Sequence, residues 1–495
     1  MPAPKTTKLA LPSTADSSQP WFPWLSTIIG LFGLLMMVAA RGDLWFDEIL
    51  SVKFAHLARN PMDVLLAIPH DNNHPLNTLF LYYVPDGSPF PVYRLLSVAA
   101  GILSLVLAAR FARREWGEPE AIGAVVLLGT SYPLLLYFSE ARGYAPAICC
   151  GLWAYDQLSL RLRTIRWRHV LGFWAASVLG ILSQSTFVIL SGAFFILQGA
   201  EIWRRRGDEQ SSWTSLWKVQ SVPVLFIGLW WLVFVSRMGF AGGPEYDKLV
   251  VIQEGAALLM GLPNVWPYPL AALGIVLAII VGGTVSLKRD QNLQWVFYPS
   301  VLVLVPAAVI LVTQPRYFYF RYLLVSFPFF YLLLAYWGVR LYRGNGALVR
   351  GLLCVAAAGM LCGHAMRIVP LLEFGRGRYF AALESMVRDD PGTLVRIGSD
   401  HDNRNSLLIE FYAPRLAGGK TLEYVPQPRL AQTPPEWFLT HSQDLHHVPE
   451  LELRLPAAGT YRLTHSARYA GVSGWAWYVY RREASGEARS HQQSP

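Results

Sequence analysis

Residues 21–40 read WFPWLSTIIGLFGLLMMVAA, a stretch of twenty positions without a charged side chain. A helix of this length crosses the hydrocarbon core of a bilayer, so the stretch predicts a membrane span. A cleaved signal peptide is the competing interpretation, because Val38-Ala39-Ala40 resembles a cleavage site, but the run is longer than a typical signal core. The polar residues 1–20, rich in Ser, Thr and Pro, are predicted to form a disordered cytoplasmic N-terminus.

The composition extends the same interpretation to most of the chain. Of its 495 residues, 53% are hydrophobic and only 15% are charged, whereas an average soluble domain carries about 25% charged residues. We therefore predict a polytopic α-helical membrane protein with about eleven transmembrane helices. After the first span, the predicted spans are residues 95–112, 121–139, 143–160, 169–184, 186–203, 218–236, 268–287, 295–313, 322–340 and 347–366.

Basic residues predict how these spans are oriented. A basic loop follows each even-numbered span, as Arg161 and Arg163 do after the fourth, and such loops are typical of the cytoplasmic side. The N-terminus is therefore predicted inside and the C-terminus outside. The weak point is residues 169–203, taken as two spans that turn near Ser183, because one long helix there would invert everything after it. The same distribution of arginines argues against a nucleic-acid partner, despite the net charge of +9.

This topology divides the chain into three regions. The N-terminus, residues 1–20, precedes a transmembrane domain at 21–369, whose first extracytoplasmic loop spans 41–93. Residues 370–495 are predicted to form a small extracytoplasmic α/β domain.

Within this tail, residues 380–388 have helical periodicity, residues 407–412 suggest a second helix, and residues 393–397, 436–440 and 475–480 have strand patterns. Asp400-His401-Asp402 looks like a metal motif of enzymes that use nucleotide sugars. Those substrates are cytoplasmic, however, and this segment is predicted outside, so a solvated loop is the favoured interpretation.

The first outer loop is unusually polar for a chain so poor in charge. It begins with RGDLWFDE at residues 41–48, which brings Asp43, Asp47 and Glu48 together beside the first span. Carboxylates at the membrane surface do not help insertion. A general base at the level of the lipid headgroups explains them, and a solvated loop face is the alternative.

The sequence HDNNHP at residues 70–75 lies further along the same loop. Pro75 is predicted to begin a helix, with His74 directly before it. Two histidines and an aspartate are chemically able to bind a divalent metal, but this spacing is weak evidence and no ligand set is assigned.

Arginines recur in the predicted outer loops, where membrane topology disfavours them. Arg142 lies in SEARGY (139–144), Arg316 and Arg321 lie in QPRYFYFRY (314–322), and Arg94 opens the second span. Guanidinium groups at such depths pair with anions, and their shape suits a phosphate. Internal salt bridges, such as Arg142 with Glu140, are the alternative.

These segments together resemble a known superfamily. Asp47-Glu48 directly after the first span resembles the acidic motif of the GT-C membrane glycosyltransferases. NHPL (73–76), SEARGY and the Pro315–Tyr322 segment are similar to stretches in the protein O-mannosyltransferase and lipid A aminoarabinose transferase type. The resemblance covers about residues 20–370. One departure is Leu76, where the family often has a second proline.

The resemblance implies an inverting transfer of a sugar from a polyprenyl-phosphate donor to a lipid, glycan or protein acceptor, at the outer face of the cytoplasmic (inner) membrane. Asp47 would be the general base and Glu48 would support it. The implied substrate-binding residues are His74, Arg94, Arg142, Tyr144, Arg316 and Arg321. A divalent metal is possible in this family, but no ligands map onto the chain.

A different class of protein is the runner-up, namely a non-enzymatic flippase for lipid-linked sugars or a polysaccharide export component. Such a transporter should carry ionisable residues at mid-membrane along its path. The predicted spans carry almost none; Asp156, near a predicted end, is the exception.

Overall fold

The computed structural model describes residues 23–164, 166–205, 213–240, 242–416, 419–456 and 458–483. The predicted disordered segment 1–20 lies outside these ranges. Each predicted span coincides with a helix or a pair of helices. The helices are α1 (Pro23–Ala39), α2 (Phe46–Leu57), α3 (Pro61–Leu66), α4 (Pro75–Tyr82), α5 (Phe90–Tyr93), α6 (Leu95–Glu115), α7 (Glu118–Thr130), α8 (Tyr132–Phe138), α9 (Tyr144–Arg163), α10 (Trp167–Ser183), α11 (Val188–Arg204), α12 (Trp213–Val233), α13 (Lys248–Met260), α14 (Tyr268–Arg289), α15 (Gln294–Pro299), α16 (Val305–Thr313), α17 (Phe327–Gly344), α18 (Ala347–Phe374), α19 (Tyr379–Asp389) and α20 (Asp402–Tyr412).

Within the described ranges, seven helical stretches are long and apolar enough to cross a membrane, and eight if the bent pair α7–α8 is one span. The axes of α7 and α8 differ by 68°. Ser131 separates them, and its side chain caps α8 by accepting from the Leu134 amide, while Pro133 lacks an N–H to continue the first helix. The remaining predicted spans are shorter or more polar, so the count of eleven stays a prediction.

The uncertain segment 169–203 folds as a hairpin. α10 ends at Ser183, and the chain reverses through Gln184 before α11 begins. The rings of Phe173 and Phe194 lie 5.6 Å apart between centroids. A continuous helix would separate these residues by roughly 30 Å, so the chain must turn back on itself here.

Several of the predicted cytoplasmic loops meet at one end of the helical bundle. Glu115, at the end of α6, accepts from Arg163 of α9 at 2.5 Å and from Gln294 of α15 at 3.0 Å. Arg343 of α17 contacts Glu120 of α7 at 3.4 Å. The ends of α6, α9 and α17 therefore lie on the same side as the beginnings of α7 and α15, as the predicted alternation of spans requires.

The C-terminal part forms a six-stranded sheet packed against α19 and α20. Its strands are β1 (Leu394–Ser399), β2 (Thr421–Val425), β3 (Trp437–Ser442), β4 (Glu452–Leu455), β5 (Gly459–Ala467) and β6 (Ala476–Arg482). They are ordered β2-β1-β3-β6-β5-β4; β1 runs parallel to β2 and β3, and the other pairs are antiparallel. The predicted strands correspond to β1, β3 and β6 and the predicted helices to α19 and α20, whereas β2, β4 and β5 were not predicted.

The sheet domain is joined to the loop after α1, residues 41–93, by polar and aromatic contacts. The Tyr412 hydroxyl donates to the Leu44 carbonyl at 2.6 Å, and the Phe380 amide donates to Asp43 Oδ2 at 2.8 Å. Trp45 and Trp475 meet edge to face, with ring centroids 6.5 Å apart. These contacts belong to one apolar core that includes residues of α2, α19, β1, β3 and β6.

This junction makes stability depend on pH. Burial raises the pKa of Asp43 from 3.8 to about 6, although the Phe380 amide and Arg94 oppose the shift. The folded state therefore binds this proton more tightly than the unfolded state, and its contribution to stability is lost as pH rises from about 4 to about 6. Asp43→Asn keeps an acceptor for the Phe380 amide without the charge. We expect it to gain up to about 3 kcal/mol at pH 7.

Thermal unfolding of the purified protein in detergent, measured from pH 4 to pH 8, tests this expectation. The difference in unfolding temperature between Asp43→Asn and the wild type should grow across the window from about 4 to about 6 and then level off. A difference that does not vary with pH would contradict the assignment.

Candidate active site

A cavity of about 1140 Å³ lies between the membrane helices and the sheet domain. Part of its lining is apolar and includes Val188, Ile189, Val309, Ile310 and Leu323. Another part is polar and includes Asp47, Arg142, Tyr144 and Arg321. The cavity therefore joins a wall that suits a hydrocarbon chain to a cluster of charged groups.

Asp47 reaches the cavity because of how α2 begins. The helix starts at Phe46, and the Glu48 carboxylate accepts from the Trp45 amide at 3.2 Å, in the manner of a capping box. Asp47 lies between them in the first turn, and its Oδ2 is 2.9 Å from Arg142 Nη1 and 3.9 Å from Arg321 Nη1. The acid is thus held between two guanidinium groups that come from different loops.

Glu48 has a different environment from its neighbour. It is completely buried, pairs with Arg94 Nε and Nη2 at 2.6 and 2.5 Å, and accepts from the Ala141 amide at 2.7 Å. Burial alone would raise the pKa of Glu48, but Arg94 and Arg376 hold it below its usual value. Glu48 does not line the cavity, so its contribution is to fix the first turn of α2.

Arg94 corrects one prediction. Its remaining donors, Nη1 and Nη2, bond the backbone carbonyls of Ala40 at 2.9 Å, Gly42 at 2.5 Å and Asp43 at 2.8 Å. All five N–H groups of the guanidinium are therefore used inside the protein. Arg94 is buried, does not line the cavity and has no donor left for a substrate.

Arg142 is the cation closest to Asp47. Its Nη1 also approaches Glu140 at 3.4 Å, and its Nη2 donates to Asn72 Oδ1 at 2.6 Å. Burial alone would lower the pKa of Arg142, but the Asp47 carboxylate raises it above its usual value. The guanidinium also lies 5.0 Å from the centroid of Tyr144. Arg142 Nε is buried and has no partner among the described residues, so it retains a donor.

The two arginines of the later loop point in different directions. Arg321 lines the cavity over the ring of Tyr319, at 4.4 Å from its centroid, and its Nε has no partner within the described ranges. Arg316 is 73% exposed and pairs with Glu245 at 2.5 Å outside the cavity. Arg321 belongs to a 3₁₀ turn (Phe320–Ser326), whereas Arg316 lies in the loop before that turn. The structure therefore corrects the predicted placement of Arg316 in the site.

His74 supports the site without lining it. It precedes α4, packs against Tyr144 at 5.3 Å between ring centroids, and lies beside Gly143 and the Ser183 carbonyl. A Cβ at Gly143 would overlap both neighbours, so only glycine allows this approach. Burial lowers the pKa of His74, and Arg142 and Arg321 lower it further. The ring is therefore neutral, and its Nε2 has no partner among the described residues. The predicted contact of His74 with substrate stays a prediction.

Two groups near the site were not predicted. Arg376, fully buried after α18, approaches Glu140 Oε2 at 3.5 Å, and Ser473 of the sheet domain donates to the same oxygen at 3.3 Å. Arg376 lies between Gly375 and Gly377, a pattern that pointed to a tightly packed turn. The second group is a wall of the cavity built by the sheet domain, which only the fold reveals.

The charged side chains that line the cavity balance one another, but they are unevenly distributed. Four acids and four arginines line it, namely Asp47, Asp71, Glu254 and Asp444 with Arg142, Arg321, Arg367 and Arg404. At Asp47 itself, two guanidinium groups, those of Arg142 and Arg321, lie 2.9 and 3.9 Å from one carboxylate. This local excess of positive charge suits an anionic ligand.

Residues 70–75 contain two histidines and an aspartate, which are residue types that bind divalent metal ions. In the part of the chain that the structure describes, no group of three or more His, Cys, Asp and Glu side chains is arranged to hold one. His70 and His74 do not converge: His70 stacks on Phe54, whereas His74 packs on Tyr144.

Comparison with known proteins gives a likeness at the level of the fold. No protein-family model matches the chain, and no curated protein is significantly similar to it. The structure is similar to that of ArnT from Cupriavidus metallidurans in the apo state, with a TM-score of 0.54, 12% identity, and coverage of 84% of this chain and 92% of that one. It is also similar to the same protein bound to undecaprenyl phosphate, with a TM-score of 0.51, 13% identity, and coverage of 93% and 98%. ArnT is a lipid A aminoarabinose transferase with the GT-C fold, so the resemblance to GT-C enzymes seen in the sequence is also found in the fold.

Proposed function

We propose that the protein is an inverting glycosyltransferase that moves a sugar from a polyprenyl-phosphate donor to an acceptor. The observation that carries the proposal is Asp47 between Arg142 and Arg321, in the polar part of a cavity whose lining is also partly apolar. A polyprenyl phosphate has the matching form, with an anionic head and a long hydrocarbon tail. The fold shared with ArnT, one structure of which holds undecaprenyl phosphate, supports the same donor class.

In the proposed reaction, Asp47 removes the proton from an acceptor hydroxyl, and the oxygen attacks the anomeric carbon of the donor sugar. The bond from that carbon to the phosphate oxygen breaks, and polyprenyl phosphate leaves. One displacement inverts the configuration at that carbon. Arg142 and Arg321 stabilise the charge that develops on the leaving phosphate, because both side chains line the cavity beside Asp47.

We further propose that this chemistry takes place at the outer face of the cytoplasmic membrane. The site lies at the opposite end of the bundle from the basic loops around Glu115 and Arg163, and such loops are typical of the cytoplasmic side. The C-terminal domain would then lie outside as well.

A matched pair of variants tests whether the sugar donor is a polyprenyl phosphate derivative. Undecaprenyl phosphate should stabilise the wild-type protein against heat, because a ligand present at about 100 times its dissociation constant adds about 2.7 kcal/mol. Arg321→Gln removes a charged hydrogen-bond donor from the cavity. It should weaken the binding of undecaprenyl phosphate by about 10- to 100-fold. Arg316→Gln, the same change on an exposed side chain, should leave binding unchanged.

The measurement is thermal unfolding in detergent across a series of undecaprenyl phosphate concentrations. Equal responses of the two variants would contradict the role of Arg321. Absence of stabilisation in the wild-type protein would contradict the donor class.

A further inference from the structure

The sheet domain contributes a wall of the cavity that the proposed donor does not need. The wall comes from the segment after β1, the segment after β3, and the residues before β6. Its polar members are His401, Asn403, Arg404, Gln443, Asp444 and His446. All six residues belong to the sheet domain, so neither the membrane helices nor the loops between them supply this wall.

The position of this wall follows from the topology of the sheet. β1 and β3 are parallel neighbours, so both carboxyl ends lie at the same edge. From β1 the chain continues through α20 to β2 on one side, whereas β3 borders β6, β5 and β4 on the other side. Connections that leave in opposite directions open a crevice at the carboxyl ends of the two strands, which is where open α/β sheets bind ligands.

Internal contacts hold the crevice in shape. Asp400, directly after β1, contacts His441 Nδ1 at 2.9 Å and accepts from the His441 amide of β3 at 2.8 Å. His441 Nε2 lies 3.3 Å from Arg404 Nη1, and Arg404 lies over Trp475, 5.6 Å from the ring centroid. The Asp400-His401-Asp402 segment is therefore part of an ordered crevice and not only a solvated loop.

The crevice lies next to Asp47, the proposed general base. Trp475, which supports Arg404 on one side, contacts Phe46 on the other with ring centroids 5.9 Å apart. Phe46 is the residue directly before Asp47. Arg404 and Asp47 line the same cavity, so a molecule held at Arg404 lies in the space that the carboxylate faces.

We propose that this crevice binds the acceptor and that the acceptor is a carbohydrate. This inference rests on the proposed function. Sugar hydroxyls both donate and accept hydrogen bonds, and the wall offers both kinds of group: amides at Asn403 and Gln443, a guanidinium at Arg404 and a carboxylate at Asp444. An extended peptide would pair with an open sheet edge, and the sheet order leaves those edges at β2 and β4, away from the crevice.

The experiment uses the purified full chain and acceptor fractions from a strain in which its gene is deleted. The donor is the polyprenyl-phosphate sugar in the lipid extract of that strain. Three fractions are offered separately: water-soluble glycans released from the envelope by mild acid, envelope proteins without glycans, and lipids without sugar headgroups. Mass spectrometry then detects which fraction gains a sugar. Transfer to the glycan fraction is expected, and transfer only to proteins or only to sugar-free lipids would overturn the proposal.

Variants locate the binding site. Asn403→Ala and Gln443→Ala change exposed side chains, and Arg404→Gln removes the charge. Each should raise the KM for released glycans by about tenfold, with little change in kcat. Stabilisation by undecaprenyl phosphate should remain in all three. The control is Arg454→Ala, an 81% exposed residue on the edge strand β4, which should behave as wild type.

The outcomes separate this inference from the proposed function. If the wild type transfers sugar to glycans and the three variants keep the wild-type KM, the crevice is not the acceptor site, although the glycosyltransferase stands. If the wild type transfers sugar to no fraction and does not respond to undecaprenyl phosphate, the proposed function fails and this inference fails with it.

Discussion

Asp47→Asn is expected to lower the rate of sugar transfer by about 10²- to 10⁴-fold, which is the contribution typical of a general base. The amide has nearly the same size and can still accept from Arg142, which lies 2.9 Å from Asp47 Oδ2 in the wild-type protein. It cannot take a proton from the acceptor hydroxyl. The effect should therefore appear in kcat, with the protein still folded in membranes.

The measurement is release of polyprenyl phosphate and gain of sugar by the acceptor, using the purified variant. Asp86→Asn is the control, because Asp86 belongs to the same loop after α1, residues 41–93, and is 81% exposed at its side chain. Near-normal turnover by Asp47→Asn would exclude this carboxylate as the base. A slow Asp86→Asn would indicate a general effect of removing charge from the loop.

Arg94→Met is expected to have the largest effect on stability. Its loss leaves the buried Glu48 carboxylate without its cation and the carbonyls of Ala40, Gly42 and Asp43 without their donor. Breaking one member of a buried ion pair costs about 3–5 kcal/mol, a large part of the roughly 5–15 kcal/mol that stabilises a folded protein. We expect little folded protein to accumulate in membranes.

Two further variants separate this mechanism from a general loss of positive charge. Arg59→Met removes an exposed arginine from the same loop and should behave as wild type. Glu48→Gln keeps an acceptor for the Ala141 amide and should be less damaging than Arg94→Met. The interpretation is contradicted if detergent-purified Arg94→Met unfolds at the same temperature as Arg59→Met.

The sequence predicted the parts of this fold that depend on residues close together in the chain. Uncharged runs of about twenty residues identify helices because the bilayer sets that length. Asp47 stood out in the sequence because a carboxylate beside a membrane span does not help insertion, so its position suggested a functional role. The strands β1, β3 and β6 have clear apolar patterns, whereas β2 and β4 alternate exposed and half-buried residues near the two edges of the sheet, so their signal was weaker.

The candidate site was only partly predictable for a related reason. Arg94, Arg142, Arg316 and Arg321 were equivalent in sequence, since all were arginines in predicted outer loops. Which guanidinium keeps a free donor depends on partners distant in the chain, such as the three carbonyls that occupy Arg94 and the Glu245 carboxylate beside Arg316. The contribution of the sheet domain to the cavity depends on strand order, which no local pattern encodes.

The buried contact of Arg376 and Ser473 with Glu140 has a consequence for how the two halves of the chain can evolve. Glu140 also touches Arg142, so Ser473 of the sheet domain shares a carboxylate with the arginine that pairs with Asp47. The tail is therefore not an interchangeable attachment. A replacement tail taken from a different protein would have to bring an arginine and a hydroxyl to the same oxygen, or leave a buried charge without a partner.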